Sequence, residues 1–140
     1  MAEVAAKART KVMHMKKYII NLSGHPLSDT AKKTAKKYAR NTIDIPVPNA
    51  DLTNLDPYTE NIMKTMKKNK SLANAILTND FVVIVPGHSG ISNHLLSALH
   101  GASGTFPVYT FTYKNGDVFD LAPLVDLQEI RLKFRDFFRN

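Results

Sequence analysis

Cysteine is absent from this chain of 140 residues. Its absence excludes disulfides, thiolate metal sites and cysteine nucleophiles. Any chemistry must therefore be carried out by histidine, serine, lysine, arginine or the two kinds of carboxylate.

The chain also lacks a long hydrophobic run. The stretch from Phe81 to Val85 is far shorter than the roughly 20 residues that a helix needs to cross a bilayer. The first 17 residues carry several cations, but no apolar segment with a small-residue cleavage site follows them, so no secretory signal is predicted. These absences predict a cytoplasmic protein without a membrane span.

Positive charge, in contrast, is in excess, with a formal net charge of +7 and a sequence pI of about 9.7. Such an excess favours polyanionic partners such as nucleotides or nucleic acid. Four of the cations, Lys32, Lys33, Lys36 and Lys37, are interpreted as the solvated face of one helix. The charge is therefore only a hint about the partner.

The hydrophobic content of 44% is sufficient for one packed domain. Residues 1–15 are interpreted as an N-terminal extension, flexible or helical, and residues 16–140 as a single domain. Apolar periodicity predicts strands over 17–22, 42–47, 81–85 and 107–113, with helices between them and a last helix after 126. This alternation predicts a small Rossmann-like, doubly wound α/β sheet, mostly parallel, in the order of about 2-1-3-4, with an antiparallel hairpin at one edge.

Capping and turn residues predict where these elements begin and end. Ser28 is expected to cap a helix that runs to about Arg40, and Ser92 or Asn93 to cap a helix that ends at Gly101. Further signals are Pro46 inside an edge strand, Asp56-Pro57 at a helix start, the lysine-rich break at 67–70, Asn115-Gly116 in the hairpin, and Asp126 as the cap of the last helix.

Two loops of similar composition follow the first and third predicted strands. Each has a glycine that is followed directly by a histidine, and a serine close to a predicted helix start. Glycine allows close approach of the backbone, and a helix N-terminus and serine hydroxyls offer donors to phosphate oxygens. Each loop alone would be interpreted as turns and caps, but together, at neighbouring strand ends, they predict a ligand site. The candidate binding residues are Asn21, Ser23, Gly24, His25, Pro26, Leu27, Ser28, Pro86, Gly87, His88, Ser89, Gly90, Ser92 and Asn93.

His25 and His88 are candidates for proton transfer, because histidine titrates near neutrality, although the catalytic residues stay unassigned. His88, His94 and His100 are spaced six and six, which does not stack them on one helical face. No metal and no cofactor are predicted. The C-terminal aromatics are interpreted as core or as a dimer contact, namely Phe134, Phe137 and Phe138.

From Tyr18 onward the sequence resembles the small accessory proteins of type III CRISPR systems, specifically group fifteen of the Csx series. Three segments carry the resemblance. They are Asn21 to Leu27, Ile43 to Val47, and the pattern from Leu99-His100-Gly101 through Phe106-Pro107 to Leu124-Val125-Asp126-Leu127-Gln128-Glu129-Ile130-Arg131.

The resemblance implies a compact relative of the CARF sensor domains that forms a homodimer and recognises cyclic oligoadenylate, with cyclic tetra-adenylate the expected ring. A two-fold dimer would place both loops of each subunit around one symmetric ring, and ligand-driven higher assembly stays open. Such a protein would damp the antiviral signal, either as a sponge or by slow, metal-independent ring cleavage through 2′-hydroxyl attack, with a slight preference for binding alone. The alternatives are a general nucleic-acid-binding module that uses the basic surface, and a structural partner protein that dimerises through its C-terminal helix.

Overall fold

The fold was analysed on a computed structural model, which describes residues 16–139. The predicted extension, residues 1–15, lies outside the described residues. The strands are β1 Lys16–Asn21, β2 Ala39–Asp44, β3 Phe81–Ile84, β4 Val108–Thr110, β5 Thr112–Asn115, β6 Val118–Leu121 and β7 Val125–Asp126. The helices are α1 Asp29–Tyr38, α2 Asp56–Lys67, α3 Lys70–Leu77, α4 Ser89–Ser103 and α5 Leu127–Arg139.

Five strands form one sheet in the order β2-β1-β3-β4-β7, and all neighbours are parallel except β4 and β7. The predicted small Rossmann-like α/β fold and the order 2-1-3-4 are therefore confirmed. The hairpin is present, but β5 and β6 form a separate two-stranded sheet. The antiparallel edge strand is the short β7, which has no turn or composition signal of its own.

The central strands are buried on both faces. Every side chain of β3 is buried, and alternate residues serve opposite apolar clusters: Ile20 packs on the side of α2, α3 and α4, and Ile19 on the side of α1 and β6. Crossovers on both faces remove these strands from water, which explains the continuous apolar run from Phe81.

The second strand begins earlier than predicted. Ala39 ends α1, its N–H bonding to the Ala35 carbonyl, and it is also the first residue of β2. The chain thus passes from helix to strand without a loop, and Pro46 lies beyond the strand. β2 is an edge strand, as predicted, but Pro46 is not the cause.

Helix α2 begins at Asp56, as the Asp56-Pro57 pair predicted. The cap position is occupied by Leu55 rather than Asp56, and no side chain caps the helix. The lysine-rich break is confirmed, because α2 ends at Lys67 and the Asn69 side chain caps α3. Ser28 and Asp126 cap α1 and α5 as predicted, with Asp126 accepting from two backbone N–H groups at 3.0 and 3.3 Å.

The start and the end of α4 differ from the prediction. His88 is the N-cap, so Ser92 and Asn93 lie inside the helix rather than before it. Gly101 is an interior residue, and the helix stops at Gly104, which has a φ of 77°. A left-handed residue at this position is a common helix terminator, and glycine adopts it without a Cβ clash.

Alanine substitutions at these two glycines are expected to change the free energy of unfolding in opposite directions. Gly101→Ala is expected to raise the free energy of unfolding by about 0.4–1 kcal/mol, because no atom lies within 4 Å of the new Cβ. Gly104→Ala is expected to lower it by about 1–2 kcal/mol, because alanine is strained at positive φ. Urea denaturation of both variants measures the difference. A helix that ended at Gly101 would give the reverse order.

The strand predicted over 107–113 is divided by Phe111. β4 ends at Thr110, and β5 starts a new sheet at Thr112. The two residues between paired Asn115 and Val118 include Gly116, with a φ of 66°, so glycine holds the first central position of the turn.

Helix α5 contributes no buried residue. Ile130, Phe134, Phe137 and Phe138 are 45%, 47%, 68% and 83% exposed. Their interpretation as core is therefore wrong, and an intermolecular contact stays a prediction. No helix within residues 16–139 is both long and apolar enough to cross a membrane.

Candidate functional site

The two predicted loops leave neighbouring strand ends. Asn21 is paired with Ile84 in the parallel β1–β3 ladder, and the Leu22 N–H continues it to the Ile84 carbonyl at 3.0 Å. Both strands therefore deliver their loops at the same edge of the sheet, where ligands bind in open α/β folds.

Asn21 organises the first loop. Its side chain is buried, and its amide nitrogen donates to the His25 carbonyl at 2.8 Å and to Asp44 Oδ1 at 2.9 Å. Its amide oxygen accepts from the Ser23 N–H at 3.0 Å and from the Ser23 hydroxyl at 2.6 Å. Both ends of the amide are thus engaged within the protein. Asn21 holds the loop in shape and also lines the cavity beside His25; its role as a ligand contact stays a prediction.

The His25 side chain is exposed at the mouth of two cavities. One, of about 440 Å³, is lined by Gly24, Pro26 and Asp44 among others; the second, of about 450 Å³, contains Ser28. The imidazole has no hydrogen-bond partner among the described residues, so both of its nitrogens are available. Of the two candidate histidines, this one is free to contact a ligand.

His88 has a structural task instead. Its Nδ1 accepts the Ile91 N–H at 3.3 Å, which caps α4 and leaves the proton of the neutral ring on Nε2. The ring lies so close to Gly90 that a Cβ there would stand 3.0 Å from His88 Cε1. Protonation at Nδ1 would break the cap, so His88 is less suited than His25 to proton transfer.

The second loop nevertheless opens a cavity of about 350 Å³ next to the first. Ser92 belongs to its lining, but its hydroxyl donates to the Pro86 carbonyl at 2.6 Å and is largely buried. This bond fixes the loop on the helix. The lining residues are Val85, Pro86, Gly87, Ser89, Ser92, Asn93, Leu96, Tyr109, Phe111 and Thr112.

The β5–β6 hairpin, which sequence reasoning did not assign to the site, stands between the two loops. Thr112 lines both the cavity of the second loop and the cavity that His25 shares with Ser28. Phe111 belongs to the former cavity and Phe119 to the latter; these rings are 40% and 56% exposed. Thr112 is therefore a lining residue common to two neighbouring cavities, and each cavity has one exposed aromatic residue in its lining.

Helix α1 anchors this hairpin. Ser28 caps the helix and also donates to the Phe119 carbonyl at 2.6 Å, and Thr34 donates to Asp120 at 2.6 Å. The Tyr38 hydroxyl donates to the Ala122 carbonyl at 3.0 Å. Burial, with the neighbouring Asp120 and Tyr113, raises the pKa of Tyr38, so this phenol stays a donor at neutral pH. Ser28 is thus a cap and an anchor, and Leu27 is buried.

The other two histidines of the part of the chain that the structure describes, His94 and His100, do not converge. His94 Nδ1 lies 4.0 Å from the Asp56 carboxylate, and the His100 ring stacks on Phe106 with 4.0 Å between centroids. Across residues 16–139, no cluster of three or more histidine or carboxylate side chains is placed to hold a metal ion.

Comparisons with known proteins add nothing to this geometry. No family model, curated protein or solved structure matches the chain. What the site can bind must therefore be argued from its residues.

Proposed function

We propose that this protein binds cyclic oligoadenylate, with cyclic tetra-adenylate the preferred ring, and thereby lowers the free concentration of the second messenger of type III CRISPR defence. The observation that carries the proposal is a pair of neighbouring cavities, one lined by the His25 loop and one by the Gly87 loop, that share Thr112 of the hairpin. Imidazole and backbone donors suit phosphates, and the exposed Phe111 and Phe119 rings suit adenine bases.

A homodimer is part of the proposal. The exposed aromatic face of α5 supports it, since a contiguous apolar surface of this kind is typical of protein interfaces. In a two-fold dimer the same patch meets its own copy, and the proposal adds that the loops of both subunits then hold one ring. Higher assembly on ligand binding is a further possible outcome that light scattering with and without ligand would detect.

Sequestration is favoured over efficient cleavage. Metal-independent cleavage needs a base for the ribose 2′-hydroxyl and an acid for the leaving oxygen. His25 is the one uncommitted imidazole of the two loops, because His88 caps α4. Asp44 shares a cavity with His25, but its Oδ1 already accepts from Asn21. The site thus offers one free imidazole, and its neighbouring carboxylate is held at Oδ1 by Asn21, an arrangement that supports binding over efficient turnover.

Calorimetry with cyclic tri-, tetra- and hexa-adenylate tests the proposal. The protein is expected to bind the tetra-adenylate ring, and His25→Ala to weaken this binding about tenfold or more, because a hydrogen bond to a charged phosphate contributes about 1.5–3 kcal/mol. Lys33→Ala, an exposed cation outside the cavities, is the matched control and is expected to change affinity less than twofold.

Absence of heat with every ring at micromolar protein would contradict the proposal. Equal losses in His25→Ala and Lys33→Ala would replace the loop site with diffuse electrostatics. Chromatography of the ring after long incubation with a chelator is expected to show it intact, and rapid appearance of linear products would contradict the preference for sequestration.

A further inference from the structure

A groove of about 470 Å³ lies on the outer side of β2 and reaches the His25 loop at Leu27. Three of the residues that line it are cations spaced four positions apart. They are Lys32 and Lys36 on α1, and Arg40 near the start of β2. The rest of the lining is Leu27, Ala39, Asn41, Thr42 and Asp44. Because β2 is the edge of the sheet in the described structure, no strand covers this side.

The three cations have no ion-pair partner within residues 16–139. Asp44 is the acidic residue of the lining, and one of its oxygens accepts from Asn21 on the inner side. The groove therefore carries a net positive charge that the folded chain does not neutralise. A ligand that supplies several negative charges in a row would do so.

The four lysines that the sequence analysis interpreted as one solvated helix face differ in their position relative to the groove. Lys32 and Lys36 line the groove, whereas Lys33 and Lys37, equally exposed and on the same helix, do not. Residues four apart rise about 6 Å along a helix, so Lys32 and Lys36 present their charges in a row along the groove. The early helix-to-strand passage at Ala39 then brings Arg40 to the same row.

The neutral residues identify the chemistry of this ligand. Asn41 and Thr42 are side chains that commonly contact phosphate and sugar oxygens. A basic groove that tracks the sugar-phosphate backbone is a common feature of proteins that bind single strands.

We propose that this groove binds the sugar-phosphate backbone of linear single-stranded nucleic acid. Its cations belong to neither loop, so the inference does not rest on the binding of a cyclic ring. An acidic protein segment would need the same charges; the presence of Asn41 and Thr42, which are frequent contacts of phosphate and sugar oxygens, favours nucleic acid, and the test below distinguishes the two ligands.

The test compares two double variants of α1 with equal loss of charge. Lys32→Gln/Lys36→Gln removes two cations of the groove, and Lys33→Gln/Lys37→Gln removes two cations outside it. Fluorescence anisotropy follows binding of a labelled single-stranded RNA of about ten nucleotides over a range of salt concentrations. Each phosphate contact contributes about 0.7 to the slope of log affinity against log salt. The groove variant is therefore expected to lose about 1.4 in slope and about 25-fold in affinity at 0.1 M salt, and the control variant less than threefold.

Equal losses in the two variants would overturn the proposal, as would failure of the parent protein to bind the RNA at low salt. Poly-glutamate that binds more tightly than the RNA, with the same dependence on Lys32 and Lys36, would overturn the assignment to nucleic acid. Calorimetry with cyclic tetra-adenylate on the same variants keeps the two sites apart: unchanged ring binding with weakened RNA binding supports a separate groove, and parallel losses contradict it.

Discussion

Asn21→Ala is expected to lower the free energy of unfolding by about 2–3 kcal/mol and to weaken ring binding more than tenfold. The Asn21 amide makes four hydrogen bonds, to Ser23 twice, to the His25 carbonyl and to Asp44. Alanine removes all four bonds, each of which contributes about 0.5–1.5 kcal/mol, and water that reaches the exposed His25 and Asp44 offsets part of the loss. The His25 loop then loses the contact that fixes its position, so the imidazole no longer meets the ligand in one geometry.

Asn41→Ala is the matched control for this variant. Asn41 lies opposite Tyr18 in the adjacent strand, is exposed, and makes one hydrogen bond, to the Lys17 carbonyl at 3.0 Å. Its loss is expected to cost less than about 1 kcal/mol and to leave ring binding unchanged. Urea denaturation and calorimetry measure both quantities. If Asn21→Ala lost stability but kept full ring affinity, the network would support the fold without positioning the loop.

The sequence predicts the sheet well because its signals are local. The apolar run from Phe81 identifies a strand covered on both faces, and the alternation of strands and helices predicts parallel crossovers. From these features follows the order that makes β1 and β3 neighbours. That the two loops open at the same edge of the sheet could therefore be predicted without a structure.

The start of α4 could not be predicted in the same way. Serine and asparagine are preferred N-caps, and histidine is not, so Ser92 and Asn93 were the natural candidates. In the structure the Ser92 hydroxyl is committed to the Pro86 carbonyl, and His88 Nδ1 caps the helix four residues earlier. Contacts between the loop and the first turn of its own helix decided this competition. It also removed His88 from the groups that are free to act on a ligand.

The hairpin itself was predicted from Asn115-Gly116, but its separation from the main sheet and its place at the site were not. Residues 107–113 have the composition of one strand, and nothing in them indicates the break at Phe111 that takes β5 out of the main sheet. The anchors of the hairpin lie far away in sequence, since Ser28 bonds to the Phe119 carbonyl across 91 positions. Its aromatic contribution to the site depends on that distant contact, which residue patterns do not record.

Gly24→Ala is expected to destabilise the protein by about 1–2 kcal/mol and to weaken ring binding at least tenfold. Gly24 has a φ of 82°, and a Cβ at this position would meet Val47 Cγ2 at 3.1 Å. Relief of the strain at positive φ moves the backbone between Ser23 and His25. Relief of the close contact displaces Val47, which lines the adjoining cavity. Urea denaturation gives the loss of stability, and calorimetry gives the loss of affinity.

Gly87→Ala provides the comparison from the second loop. Gly87 is not in the positive-φ region, and no atom lies within 4 Å of an added Cβ. The free energy of unfolding of the variant is therefore expected to change by less than about 0.5 kcal/mol. The new methyl group does, however, line the cavity in which a phosphate would approach the backbone. Weakened ring binding at unchanged stability is therefore the expected result. Full ring affinity in Gly87→Ala would restrict the binding site to the His25 loop. Unchanged stability in Gly24→Ala would show that the His25 loop tolerates a side chain at its tightest point.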